Sequence, residues 1–107
     1  MDDKKFKITK KQLKRVMSTK MGVGIASDEI MVEGKPIRFM ERMAQYSDYP
    51  EFSGWAFTSG EETREYLDNP LNSGLYNLNT IANYDKSIIP HLDSPTGTEI
   101  DLTATED

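Results

Sequence analysis

The segment Gly54-Trp55-Ala56-Phe57-Thr58 constrains the fold more than any other stretch of this chain. Side chains alternate across a strand with period two, so Trp55 and Phe57 share one face, separated by a small residue on the other. Burying that aromatic pair demands a sheet with a second layer laid over the same face. A chain of 107 residues encloses about one core, so the expectation is a single domain with Trp55 and Phe57 at its centre.

The rest of the chain is punctuated at short, irregular intervals. Thr9-Lys10-Lys11-Gln12 has the spacing of a capping box and predicts a helix over 10–20, with Leu13, Val16 and Met17 as a narrow apolar stripe. Gly22 and Gly24 end it and lead into a strand at Val23 to Ala26. Glu33-Gly34-Lys35 reads as a turn between a segment around Ile30 to Val32 and a strand from Pro36 to about Met43. Alternation there places Ile37 and Phe39 on the core face and Arg38, Met40 and Arg42 on the other. The aperiodic stretch 45–53 reads as a loop bearing Tyr46, Tyr49 and Phe52.

Ser59-Gly60-Glu61-Glu62 repeats the capping-box pattern and predicts a two-turn helix, stopped at Asn69-Pro70. Leu75 to Leu78 reads as extended, and Asn79 as the cap of a short helix to Tyr84 that brings Ile81 to the core. Ser87-Ile88-Ile89-Pro90 is an apolar segment that cannot continue as a helix. A last strand over 98–103 points Ile100 and Leu102 inward. The whole reads as a single small α+β domain: a mainly antiparallel sheet, an N-terminal helix and one or two short helices. Its expected divisions are a basic arm and helix over 1–21, an α+β domain over 22–103 and an acidic tail over 104–107.

Charge is distributed unevenly. Eight bases against Asp2 and Asp3 give residues 1–20 a charge of +6, while five bases against sixteen acids give the remainder −11. Nucleic-acid affinity comes mainly from neutralising phosphates, which excludes the acidic body as such a binder. The basic arm reads as a solvated face docked on that body. With no cysteine, disulfide scaffolds, thiolate metal sites and Cys nucleophiles are excluded. No apolar run approaches the roughly 18 residues of a membrane span, and the N-terminus lacks a signal-peptide core, so the expected location is the cytoplasm.

Each candidate residue for chemistry also has a structural reading. His91, the only histidine, has neighbours that supply no nucleophile and reads as a boundary residue. Glu61, Glu62, Glu65 and Asp68 form an acidic group, yet acids in a first helical turn are what the helix dipole favours, and no metal loop spacing is present. Phosphate-cradling and acyl-transfer motifs are absent. Arg38 and Arg42 either meet an acidic partner or pair internally with acids such as Glu61 or Glu65. The expectation is therefore a binding protein rather than an enzyme, without cofactor or metal.

Four ordered blocks add a resemblance: Gly34-Lys35-Pro36-Ile37-Arg38-Phe39-Met40-Glu41-Arg42, then 53–62 around Ser53-Gly54-Trp55, then 72–83 ending Asn79-Thr80-Ile81-Ala82-Asn83, and 85–97 around Pro90-His91-Leu92-Asp93. From Val23 to about Leu102 the chain resembles the thirty-third immunity-protein family of bacterial polymorphic toxin systems, formerly a domain of unknown function. It departs from the family pattern at 44–52 and in the basic arm. The resemblance implies an antidote that binds a cognate toxin stoichiometrically. Candidate contacts are the acids Glu61, Glu62, Glu65 and Asp68, the aromatics Tyr46, Tyr49 and Phe52, and Arg38 with Arg42. The alternative is a stand-alone regulatory module that binds a small ligand or metal, with 53–55 and 79–83 lining its pocket.

Overall fold

A computed structural model describes residues 4–17, 22–44 and 50–102. Five strands form one sheet: β1 (Val23–Ser27), β2 (Phe39–Arg42), β3 (Phe52–Thr58), β4 (Ser73–Asn77) and β5 (Glu99–Asp101), in the order β4-β1-β3-β2-β5. Only β1 and β3 run parallel; the other three pairings are antiparallel. Three short helices, α1 (Asp28–Met31), α2 (Arg64–Asp68) and α3 (Leu78–Tyr84), and a 3-10 turn over Lys86–His91 complete the α+β domain. No described helix is long and apolar enough to cross a membrane.

The strand registers explain where the core sits. Gly74, Ala26, Phe57, Met40 and Ile100 are successive partners across all five strands, and partners in register share a face. Trp55 lies on the same face, fully buried, and Ile30, Met31, Leu78, Ile81, Ile88 and Leu92 from the helices and the 3-10 turn close over it. The indole N–H donates to the Leu92 carbonyl at 3.0 Å, so its polar atom is satisfied inside the core. Gly54 permits this strand to pass: at φ +95° a Cβ would stand 2.3 Å from the Met43 carbonyl oxygen, a conformation and a contact open only to glycine.

Several expectations are corrected. The helix over 10–20 does not form in the described part: a single 3-10 turn at Lys10–Gln12 is followed by extended chain. The capping residue works, since Gln12 Oε1 accepts from the Thr9 backbone at 2.9 Å. Helix α3 then outcompetes the helix that should follow. Asn79 Oδ1 accepts from the Val16 and Met17 backbone at 2.9 and 3.2 Å, and the side-chain amides of Asn79 and Asn83 both donate to the Lys14 carbonyl at 2.8 Å. An isolated helix of that length is marginal, and these tertiary bonds hold the arm extended across α3.

Phe39, expected in the core, is 41% exposed, and Met40 is buried in its place. Register with Phe57 on one side and Ile100 on the other turns Met40 inward, which sends Phe39 and Glu41 to the opposite face. Ile37 remains buried because it precedes the ladder, its N–H bonded to the Asp85 carboxylate at 3.2 Å. Phe52, expected in a loop open to a partner, begins β3 and is 1% exposed. Tyr46 and Tyr49 lie outside the described residues. The segment around Ile30, left unassigned by its sequence, is helical, and α3 is preceded by Asn77 instead of Asn79.

Candidate functional site

The carboxyl ends of the parallel strands β1 and β3 lie side by side and place Ser27 and Ser59 together. Between them sits the carboxylate of Glu62, which accepts from Ser27 Oγ, from the Ser59 backbone at 2.9 and 3.2 Å and from the Gly60 backbone at 3.0 Å. Burial pushes the Glu62 carboxyl up, but the hydrogen bonds from Ser27 and the Ser59 backbone outweigh it and hold the group below its ordinary range. This is the return half of the capping box without its helix. Ser59 Oγ accepts from the Glu61 backbone at 3.2 Å and donates to Glu29 at 2.8 Å, while α2 starts only at Arg64, capped by Thr63 Oγ1 accepting from Tyr66 at 3.1 Å. Glu62 is thereby withdrawn from the expected partner surface.

Lys35 gathers the neighbouring acids, at 3.0 Å from Glu61, 3.2 Å from Glu29 and 3.7 Å from Glu33. Its hydrogen bonds to Glu61 and then Glu29 raise the ammonium well above its ordinary value. Acids still outnumber bases here. Burial, followed by the charges of Asp28, Glu29, Glu33 and Glu62, pushes the Tyr66 phenol up. Glu65 and Asp68 on α2 are exposed, so of the four expected acids Glu61, Glu65 and Asp68 face solvent.

The two arginines part company. Arg38 is exposed, and no described carboxylate pairs with it. Arg42 turns inward: its guanidinium donates to the carbonyls of Ser53 (3.0 Å), Leu92 (3.3 Å) and Ser94 (2.8 Å) and lies 5.7 Å over the Trp55 ring. The pairing is internal, as one expectation held, but with backbone carbonyls rather than with Glu61 or Glu65. Arg42 is half-buried and clamps the segment after the 3-10 turn onto the core. His91 is half-buried in that same turn. Among the described residues no group of three acids or histidines is arranged to hold a metal ion.

Behind the core lies the second face of the sheet. Leu75, Ile25, Ala56, Glu41 and Glu99 are successive register partners on it; Leu75 is 46% exposed. Phe39 belongs to the adjoining row, between Thr58 and Asp101. A depression of about 350 Å³ between these rows is lined by Phe39, Glu41, Ala56, Thr58, Glu99 and Asp101. Sequence reasoning missed this face because it set the alternation of β2 out of phase by one residue. The signal lay in the 39–41 run, since Phe39 and Glu41 must go together, and an exposed glutamate takes its phenylalanine outward.

A family model described as the Immunity protein Imm33 domain matches residues 24–107. The chain belongs to this family. The Imm33 domain thus takes in every strand and helix of the fold, with only the first residue of β1 and the arm before it outside. Asn79 and Asn83, which grip the arm, belong to the domain. Comparison with curated proteins and with solved structures gives no match. The family designation assigns the domain an immunity function against toxins.

Proposed function

We propose that this protein is a stoichiometric antidote, which captures its cognate toxin in a protein–protein complex and performs no chemistry on it. The observation that carries this reading is the Imm33 match over 24–107. The polar groups add support: Glu62 and Arg42, two of the residues singled out in the sequence, are hydrogen-bonded into the fold itself. What remains on the surface is charge. Glu61, Glu65 and Asp68 present an acidic approach beside Arg38, and such rims steer a basic partner and speed its capture.

The test is co-expression with the toxin domain against which the chain protects cells. The expected outcome is protection together with a one-to-one complex that survives gel filtration. Protection without any complex overturns the reading.

A second reading has one observation in its favour. An apolar cavity of about 400 Å³ lies between the arm and α3, lined by residues including Phe6, Leu13, Met31, Tyr76 and Tyr84, a setting suited to a small apolar ligand. Native mass spectrometry of the purified chain decides it, by a stoichiometric added mass or none.

A further inference from the structure

We propose that the toxin seats on the second face of the sheet, with Phe39 as the apolar anchor and the facing carboxylates Glu41 and Glu99 as the receptor for a basic side chain. The inference rests on the antidote reading and names its surface.

The first argument is an unfavourable pairing. Glu41 on β2 and Glu99 on β5 are direct cross-strand partners, both exposed, and neither has a basic partner in an ion pair among the described residues. Like charges directly opposite on antiparallel strands destabilise the sheet. The fold offers an easy remedy, a lysine at either position, and does not take it. A cation inserted between the two carboxylates from outside converts the repulsion into two attractive contacts.

The second argument is Phe39. A large aromatic side chain on a strand is normally buried, yet this one is 41% exposed beside a depression of about 350 Å³. Its ring lies close to Gly60, where an added Cβ would stand 2.7 Å from it, and Thr58 lies opposite in register. Aromatic side chains, Phe among them, are enriched at protein–protein interfaces relative to the rest of the surface.

Charge selects the occupant. A second copy would bring Glu41 and Glu99 against their own likes, in a chain whose residues beyond 20 already sum to −11. A partner with an Arg or Lys next to an apolar residue complements both halves of the face. The acidic surface of Glu61 adjoins Phe39 through Gly60, so steering and anchoring surfaces are continuous.

Glu41→Lys and Phe39→Ala, with Glu65→Lys as control, test the assignment by calorimetry and stopped-flow against a catalytically inactive form of the toxin domain. Glu41→Lys places a lysine opposite Glu99, so its melting temperature equals or exceeds that of the unsubstituted chain, and lost binding is not lost folding. The expected result is about 30-fold or greater weakening for Glu41→Lys and Phe39→Ala, expressed in the dissociation rate, while Glu65→Lys mainly slows association. A full-strength complex with both variants overturns the surface assignment and leaves the antidote reading standing. Absence of any complex with the unsubstituted chain overturns the antidote reading and the inference with it. Concentration-dependent self-association that Glu41→Lys alters in step with toxin affinity assigns the face to a second copy and overturns the proposal.

Discussion

Glu62 is an acid used as a structural anion. Four hydrogen bonds fasten it to the ends of β1 and β3, and its carboxyl titrates below the ordinary value of 4.5. A carboxyl held lower in the folded than in the unfolded chain stabilises the fold when ionised. That contribution is complete above the ordinary value and disappears as pH falls through the folded one. Glu62→Gln keeps the shape but not the charge, and one of its two terminal atoms is a donor facing other donors. The expected outcome is a variant less stable than the original at pH 7, with the gap narrowing as pH drops below 4.5; urea denaturation at pH 7 and pH 3 reads it. A gap independent of pH would show that the charge contributes nothing.

Among the elements, the arm shows how tertiary bonds override local preference. Its turn at Lys10–Gln12 begins as a helix should, then yields to the side-chain amides of α3. Asn79→Ala removes the acceptor for two arm N–H groups and a donor to the Lys14 carbonyl, a loss of about 1–3 kcal/mol on common hydrogen-bond magnitudes. The expected effect is local: hydrogen exchange accelerates at the Val16 and Met17 amides while the Trp55 and Phe57 amides stay protected. Uniform acceleration would mean the arm and the core unfold together. The same contrast governs what was legible from residues alone. Strands β1, β3, β4 and β5 and helix α3 followed from alternation, turn residues and caps, with ends shifted by no more than two residues. The aromatic core pair was legible for the same reason. The inward turn of Met40, and with it the outward Phe39 and Glu41, depends on pairing with strands that are distant in sequence. The Ser59 half of Glu62's role is the capping box itself, but its bond from Ser27, the Leu92 and Ser94 carbonyls taken by Arg42 and the arm contacts of the two asparagines lie 35 to 69 positions away, and no local pattern announces them.

On the scale of the whole molecule, charge is arranged so that the described arm lies against an acidic body, with Lys4 paired to Asp28 at 2.8 Å. If the net charge of −5 steers capture of a basic toxin, the association rate falls steeply with ionic strength while the dissociation rate changes little. Stopped-flow between 50 mM and 500 mM salt measures both, and a flat association rate excludes steering. The strand order has a further consequence, for timing. The interior strand β1 pairs only with β3 and β4, and the Lys14 backbone waits for Asn83, 69 residues later. At about 5–20 residues per second, a ribosome needs roughly 3–14 s to deliver that partner. Until then the nascent chain has no completed sheet, and β5 with Glu99 emerges later still. Folding of the arm onto α3 and closure of the sheet are therefore late events of synthesis, completed only when the C-terminal third of the chain is in place.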